Sequence, residues 1–196
     1  MKKCFVISIL ILIIVPLIYS HPHVFMETSA EFIFNENELE GFELKWVFDE
    51  MFSAIIMEDC DKNKDGIINE KEKKIIEKDY FSSLEDHNYF CHIIYGGEKH
   101  EIKKVEEFNA YIGEDKKMIY ELFVPMNIML EEQYQCVKLT VYDDTYYIAV
   151  GMSEKDPVHI NGIKEENYDY KCIQNSRDII YFGQTMPTQI ILNFKK

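Results

Sequence analysis

Residues 24–34, VFMETSAEFIF, and residues 42–48, FELKWVF, decide the fold. In the first stretch Val24, Met26, Thr28, Ala30, Phe32 and Phe34 share one face, while Glu27, Ser29 and Glu31 fall on the other. Side chains of an extended chain alternate with period two, so this is the pattern of a half-buried strand. Phe42, Leu44, Trp46 and Phe48 alternate in the same way around Glu43 and Lys45. The NENELEG stretch between them reads as a turn, and the two runs form a hairpin. Strand signals return at Phe90 to Tyr95, His100 to Val105, Phe108 to Ile112 and Met118 to Val124, the last ending before Pro125. The Gly96-Gly97 pair and the GEDKK stretch are the turns among these. Further strands are expected at Cys136 to Tyr142, Tyr146 to Val150, Val158 to Ile160, Tyr168 to Cys172 and Gln189 to Phe194. About ten short strands, with thirteen tyrosines and thirteen phenylalanines to pack them, predict an α+β, mainly β chain with a β-sandwich-like body.

One segment breaks this rhythm. Residues 50–60, EMFSAIIMEDC, carry Phe52, Ile55, Ile56 and Asp59 at helical spacing, with Asp49 as N-cap. Beyond residue 70, KEKKIIEKDYF puts Ile75, Ile76 and Tyr80 on one stripe. Between them lies Asp61 to Glu72, DKNKDGIINEKE. Asp61, Asn63 and Asp65 stand at positions 1, 3 and 5 of a twelve-residue EF-hand loop, Gly66 at the sharp turn of position 6, and Glu72 at the bidentate position 12. Ile67 at position 7 offers its carbonyl, Asn69 at position 9 an oxygen that acts through water, and Ile68 an apolar side chain to pin the loop to the core. Three carboxylates among neutral oxygens suit calcium rather than magnesium, which demands a tighter octahedron. The EF-hand helix–loop–helix is therefore read as an insertion at about 50–82. No second such loop is present in the sequence, and calcium acting as a constant staple ranks above calcium acting as a trigger.

The first twenty residues have Lys2 and Lys3, an apolar run from Cys4 to Ile14, Pro16 and a Tyr19-Ser20 end. This is the pattern of a cleaved signal peptide, 1–20, followed by a single domain, 21–196. The expected location is periplasmic or secreted. Without Lys2 and Lys3 the domain carries 19 basic against 35 acidic residues, a net charge of −16. That balance disfavours nucleic acid as a partner and favours cations. Cys60, Cys91, Cys136 and Cys172 remain, an even number that permits two disulfides in an exported chain. Four cysteines allow three connectivities; Cys60–Cys91 with Cys136–Cys172 joins neighbouring segments.

Cleavage after Ser20 makes His21 the first residue, in His21-Pro22-His23-Val24-Phe25. The α-amine and imidazole of His21 with the imidazole of His23 form an all-nitrogen set suited to nickel, cobalt, zinc or copper. Pro22 has no amide hydrogen, so the square-planar geometry that uses deprotonated backbone amides is excluded. His87, His92 and His100 are the histidines that could complete such a site, with Asp86 and Glu98 as oxygen donors. No G-x-S-x-G elbow, H-E-x-x-H helix or glycine-rich phosphate loop occurs, and Asp143-Asp144 reads as a turn. No enzyme activity is assigned on this basis.

The HPHVF start, Trp46-Val47-Phe48-Asp49, MFSAIIMEDCD and DKNKDGIINEKE together resemble a family of uncharacterised bacterial periplasmic proteins described as periplasmic components of transport systems, often found beside nickel, cobalt or zinc transport genes. The resemblance takes in Tyr89-Phe90, Phe123-Val124-Pro125 and Asp143 to Tyr147 as well. It implies an exported accessory protein that captures or hands over a transition metal, carried here on His21 and His23, with a membrane metal transporter as partner. Two other readings stand beside it: a calcium-stabilised structural or interaction module without transition-metal handling, and a copper histidine-brace redox protein.

Overall fold

The computed structural model describes residues 22–174, 180 and 185–196. The expected signal peptide 1–20 and His21 lie outside the described residues. Two sheets face each other across one apolar core. The first opens on the hairpin of β1 (Val24–Phe34) and β2 (Glu38–Phe48). It continues through β6 (Met118–Met129) to β5 (Glu106–Ile112). On its other side β1 pairs in parallel with β8 (Ile148–Met152) along Val24 to Thr28, and then with β9 (Val158–Asn161) along Ala30 to Ile33. Two short consecutive strands thus cover one edge of a single long strand, and Ser153 N–H bonds to Thr28 O (2.8 Å) where they change over. The second sheet runs in the order β10 (Tyr168–Gln174), β11 (Thr188–Phe194), β7 (Gln135–Val141), β3 (Cys91–Tyr95) and β4 (Glu98–His100). The mainly β architecture is the one that alternation predicts: Phe32, Phe42, Leu44 and Trp46 are all fully buried on the inner face.

The departures from expectation have local causes. The first turn is only Asn35–Asn37, because Asn35 Oδ1 accepts from Asn37 N–H and Glu38 N–H and closes it early. β6 runs through Pro125, which stands opposite Gly41 where the β2 register shifts. A Cβ at Gly41 would lie 2.2 Å from Val124 O, so glycine lets the bulged strand approach and tolerate a residue with no N–H to give. The strand expected at His100 to Val105 is instead Glu98–His100, which pairs with Tyr95, Ile94 and Ile93 of β3; beyond it Ile102 N–H donates to Asn88 Oδ1 (2.9 Å).

The insertion between β2 and β3 holds α1 (Glu50–Cys60) and α2 (Glu70–Ile76). Asp49 caps α1 through Phe52 N–H and also accepts Phe25 N–H (2.6 Å), which ties the helix start to β1. Ser53 Oγ accepts Met118 N–H (2.8 Å), tying its first turn to β6. The second helix does not stay α-helical to Phe81. It widens to a π turn at Glu77–Phe81, followed by tight turns over Ser82–Phe90. The widening places Phe81 in the core, stacked on Phe108 at 4.1 Å between ring centres and close to Trp46 and Tyr120.

The four cysteines among the described residues, Cys60, Cys91, Cys136 and Cys172, are free thiols. The expected Cys136–Cys172 pair is corrected by the sheet register. Cys172 faces Ile190, which faces Leu139, so Cys136 lies two strands across and three residues along. That separation is roughly 14 Å by strand geometry, twice the Cα–Cα reach of a disulfide. Cys60 and Cys91 are fully buried and unpaired, and the Cys91 thiol donates to Tyr89 O (3.2 Å). Burial raises the pKa of both thiols, which removes them from thiolate chemistry at neutral pH.

Candidate functional site

The backbone of the 61–72 loop enters the left-handed region twice. Gly66 adopts φ +80° and Lys64 φ +60°, and the loop joins α1 at Cys60 to α2 at Glu70. Its first and last carboxylates are turned inward: Asp61 is 9% exposed and Glu72 3%. Ile68 is buried in the common core, whereas Ile67 is 65% exposed. The oxygens are held on the loop's own N–H groups. Asp61 Oδ2 accepts from Gly66 N–H (2.9 Å), and Asp65 Oδ1 accepts from Ile67 N–H (2.9 Å). Asn63 Oδ1 accepts from Asp65 N–H, and Glu72 Oε1 accepts from Lys62 N–H (2.8 Å).

Asn69 and Glu72 form a capping box at the start of α2, a role visible in the Asn-x-x-Glu spacing but missed in the sequence reading. Tyr80 donates to Asp59 (2.5 Å), joining the exit segment to the end of α1. The Asp59 carboxylate pushes the Tyr80 phenol up to about 12, so it remains a donor. Among the described residues no three His, Cys, Asp or Glu side chains gather as a metal-holding group, the loop included. Its donor set of three carboxylates, two amide oxygens and a carbonyl fits a hard cation by chemistry.

The histidines fall into two places. His23 is exposed at the start of β1; its N–H bonds to Tyr147 O (2.9 Å), and its ring lies 5.2 Å from that of Tyr147. Tyr147 and His87 line one cavity of about 300 Å³ between α1, the 80–90 segment and the β7–β8 turn. His92 is elsewhere. It stacks on Tyr142 at 3.7 Å, with Nε2 3.9 Å from Asp144 Oδ2. His92, His100, Asp86 and Asp144 line a second cleft of about 700 Å³. The Asp143-Asp144 pair does sit in a turn. Asp143 is 2% exposed and accepts from Thr145 N–H, Tyr147 N–H and Ile148 N–H, so its carboxylate holds that turn.

Burial lowers the His92 pKa below the ordinary value of 6.5, and the Asp144 charge and the Tyr142 carbonyl only partly oppose this. The unfolded chain then takes up a proton that folded His92 refuses. Stability is therefore expected to fall as pH drops from about 7.5 to about 5.5, and His92→Gln should flatten that decline in urea unfolding. An equally steep fall in the variant would remove His92 as its source.

The fold and loop define a two-sheet α+β protein with one helix–loop–helix insertion. The chain belongs to the family described as "Protein of unknown function (DUF1007)", whose model matches residues 6–187. It is similar to an uncharacterised 15.5 kDa protein of Spirochaeta aurantia, 26% identical over 137 residues, covering 69% of this chain and 96% of that one. It is also similar to an uncharacterised protein of Haemophilus influenzae, 24% identical over 164 residues, covering 82% and 76% of the two chains.

Proposed function

We propose that this is an exported calcium-binding accessory protein in which Asp61, Asn63, Asp65, the Ile67 carbonyl, Asn69 and Glu72 hold calcium. The observation that carries the reading is the loop itself: an oxygen at every required position, a left-handed glycine at position 6, and buried carboxylates at both ends. A lone loop built onto the core through Ile68 favours calcium as a staple of the insertion.

We further propose that the protein handles a transition metal, among nickel, cobalt, zinc and copper, for a membrane metal transporter. Supporting this are the net acidic surface, the His21-Pro22-His23 start and the His92–Asp144 approach in a cleft that also presents His100 and Asp86. The test is calorimetry on the chain from His21, first with calcium and then with each transition metal. His21→Ala with His23→Ala is expected to abolish stoichiometric transition-metal binding and leave calcium binding and folding intact. Unchanged binding in the double variant would move the site to the His92 cleft, which His92→Ala then tests. Absence of tight transition-metal binding in the parent chain would leave the calcium-stabilised interaction module.

A further inference from the structure

β10 stands at the end of the second sheet, and among the described residues it pairs only with β11. Tyr168, Tyr170 and Cys172 lie opposite Phe194, Leu192 and Ile190, three buried residues of the core-facing side. Yet Tyr170 is 44% exposed and Cys172 is exposed, so the core-facing side of the sheet runs out into solvent at this strand. Asp169 and Lys171 project from the opposite face, both exposed, and Asp169 accepts from Asn193 Nδ2 (2.9 Å). Lys195 N–H donates to Asn167 O (3.0 Å), in the register that sets Tyr168 opposite Phe194. Main-chain groups of a strand point alternately to its two sides. Asp169, Lys171 and Ile173 therefore bond to β11, and Tyr168, Tyr170 and Cys172 turn their N–H and C=O groups to the open edge.

We propose that this edge pairs with β10 of a second copy of the chain, antiparallel about a two-fold axis at Tyr170. Charge selects that register. An axis at Asp169 or at Lys171 sets like charges face to face, which is destabilising, and an axis at Cys172 leaves Asp169 opposite a position beyond the strand end. An axis at Tyr170 sets Asp169 opposite Lys171 of the second copy, and Lys171 opposite its Asp169. The two Tyr170 residues then exchange both main-chain bonds, Tyr168 does the same with Cys172 across the axis, and the exposed core-facing side chains meet their counterparts. A lysine on an exposed strand ordinarily guards it against pairing; here Asp169 turns the same lysine into a register mark. Neither the calcium loop nor the histidines take part, so this inference stands or falls apart from the proposed function.

The test is sedimentation equilibrium of the chain from His21 at about 0.15 M salt, where the repulsion between two acidic chains is screened beyond about 8 Å. A reversible dimer is expected. Asp169→Lys and Lys171→Asp should each weaken it about tenfold, because each turns two attractive cross-strand pairs into two repulsive ones. The double variant Asp169→Lys with Lys171→Asp should restore it, a rescue that a fold damaged by either change would not show. Tyr170→Cys with Cys172→Ser should give a disulfide-linked dimer under mild oxidation, since residues facing each other on the axis lie within disulfide reach. A monomeric parent, a dimer insensitive to both single reversals, or a double variant that fails to recover would overturn the proposal. Ready Cys172–Cys172 linkage of the parent would also overturn it, by placing the axis elsewhere.

Discussion

Replacing Glu72 with Gln is expected to remove the calcium-dependent part of the protein's stability. The side chain is 3% exposed, with Oε1 accepting from Lys62 N–H and Oε2 from Asn69 N–H (3.1 Å). Gln keeps the shape but loses the charge, and it turns an NH₂ toward one of these donors. Without calcium this alone should cost about 1–3 kcal/mol, the range for a broken bond to a charged, buried acceptor. With calcium at a hundred times its dissociation constant the parent chain gains about 2.7 kcal/mol by binding only its folded state. The variant, lacking the bidentate ligand, should gain little. Urea unfolding in chelator and in calcium reads both effects. Glu70→Gln is the control, since that exposed side chain pairs only with Lys73 and its loss should stay within about 0.5 kcal/mol. An equal calcium-induced gain in the parent and in Glu72→Gln would refute the assignment of the loop.

Phe81→Ala is expected to be the most destabilising single change in the insertion. The ring is 5% exposed and meets Phe108 at 4.1 Å, Tyr89 at 5.3 Å and Trp46 at 6.3 Å. It links the exit segment of the helix pair to β2 and β5 at once, so truncation leaves a cavity bounded by rigid rings that cannot close over it. The expected loss is about 3–5 kcal/mol, measured by chemical denaturation. Ile55→Ala, on the exposed side of α1, should change little by comparison. A loss below about 1 kcal/mol for Phe81→Ala would mean that the insertion is anchored elsewhere.

Much of this molecule is legible locally. β1 spans the residues that alternation marks, and α1 begins at the Asp49 cap and ends at Cys60, as its spacing and the following loop require. The left-handed Gly66 follows from a tight turn that favours glycine. What was not legible depended on partners far away in the chain. Pro125 can sit inside β6 only because Gly41, from another strand, makes room for it. The Cys136–Cys172 pairing looked natural by order in the sequence, yet β11 lies between the two strands that carry them. Of the histidines proposed together, His87 lines one cavity, His23 lies against the Tyr147 ring of its wall, and His92 turns to Asp144 and a different cleft.

By itself the sequence determined which residues face inward on β1 and β2, where α1 starts and stops, and where the following loop needs a glycine. Side-chain periodicity, capping and glycine's conformational freedom act over a few residues, so a short stretch carries the whole instruction. Only the tertiary structure decided that β8 and β9 share one edge of β1, that a π turn delivers Phe81 to the core, and that the Tyr120 hydroxyl is buried without a hydrogen-bond partner. Each of these depends on how segments distant in the chain pack against one another, and no local pattern encodes that.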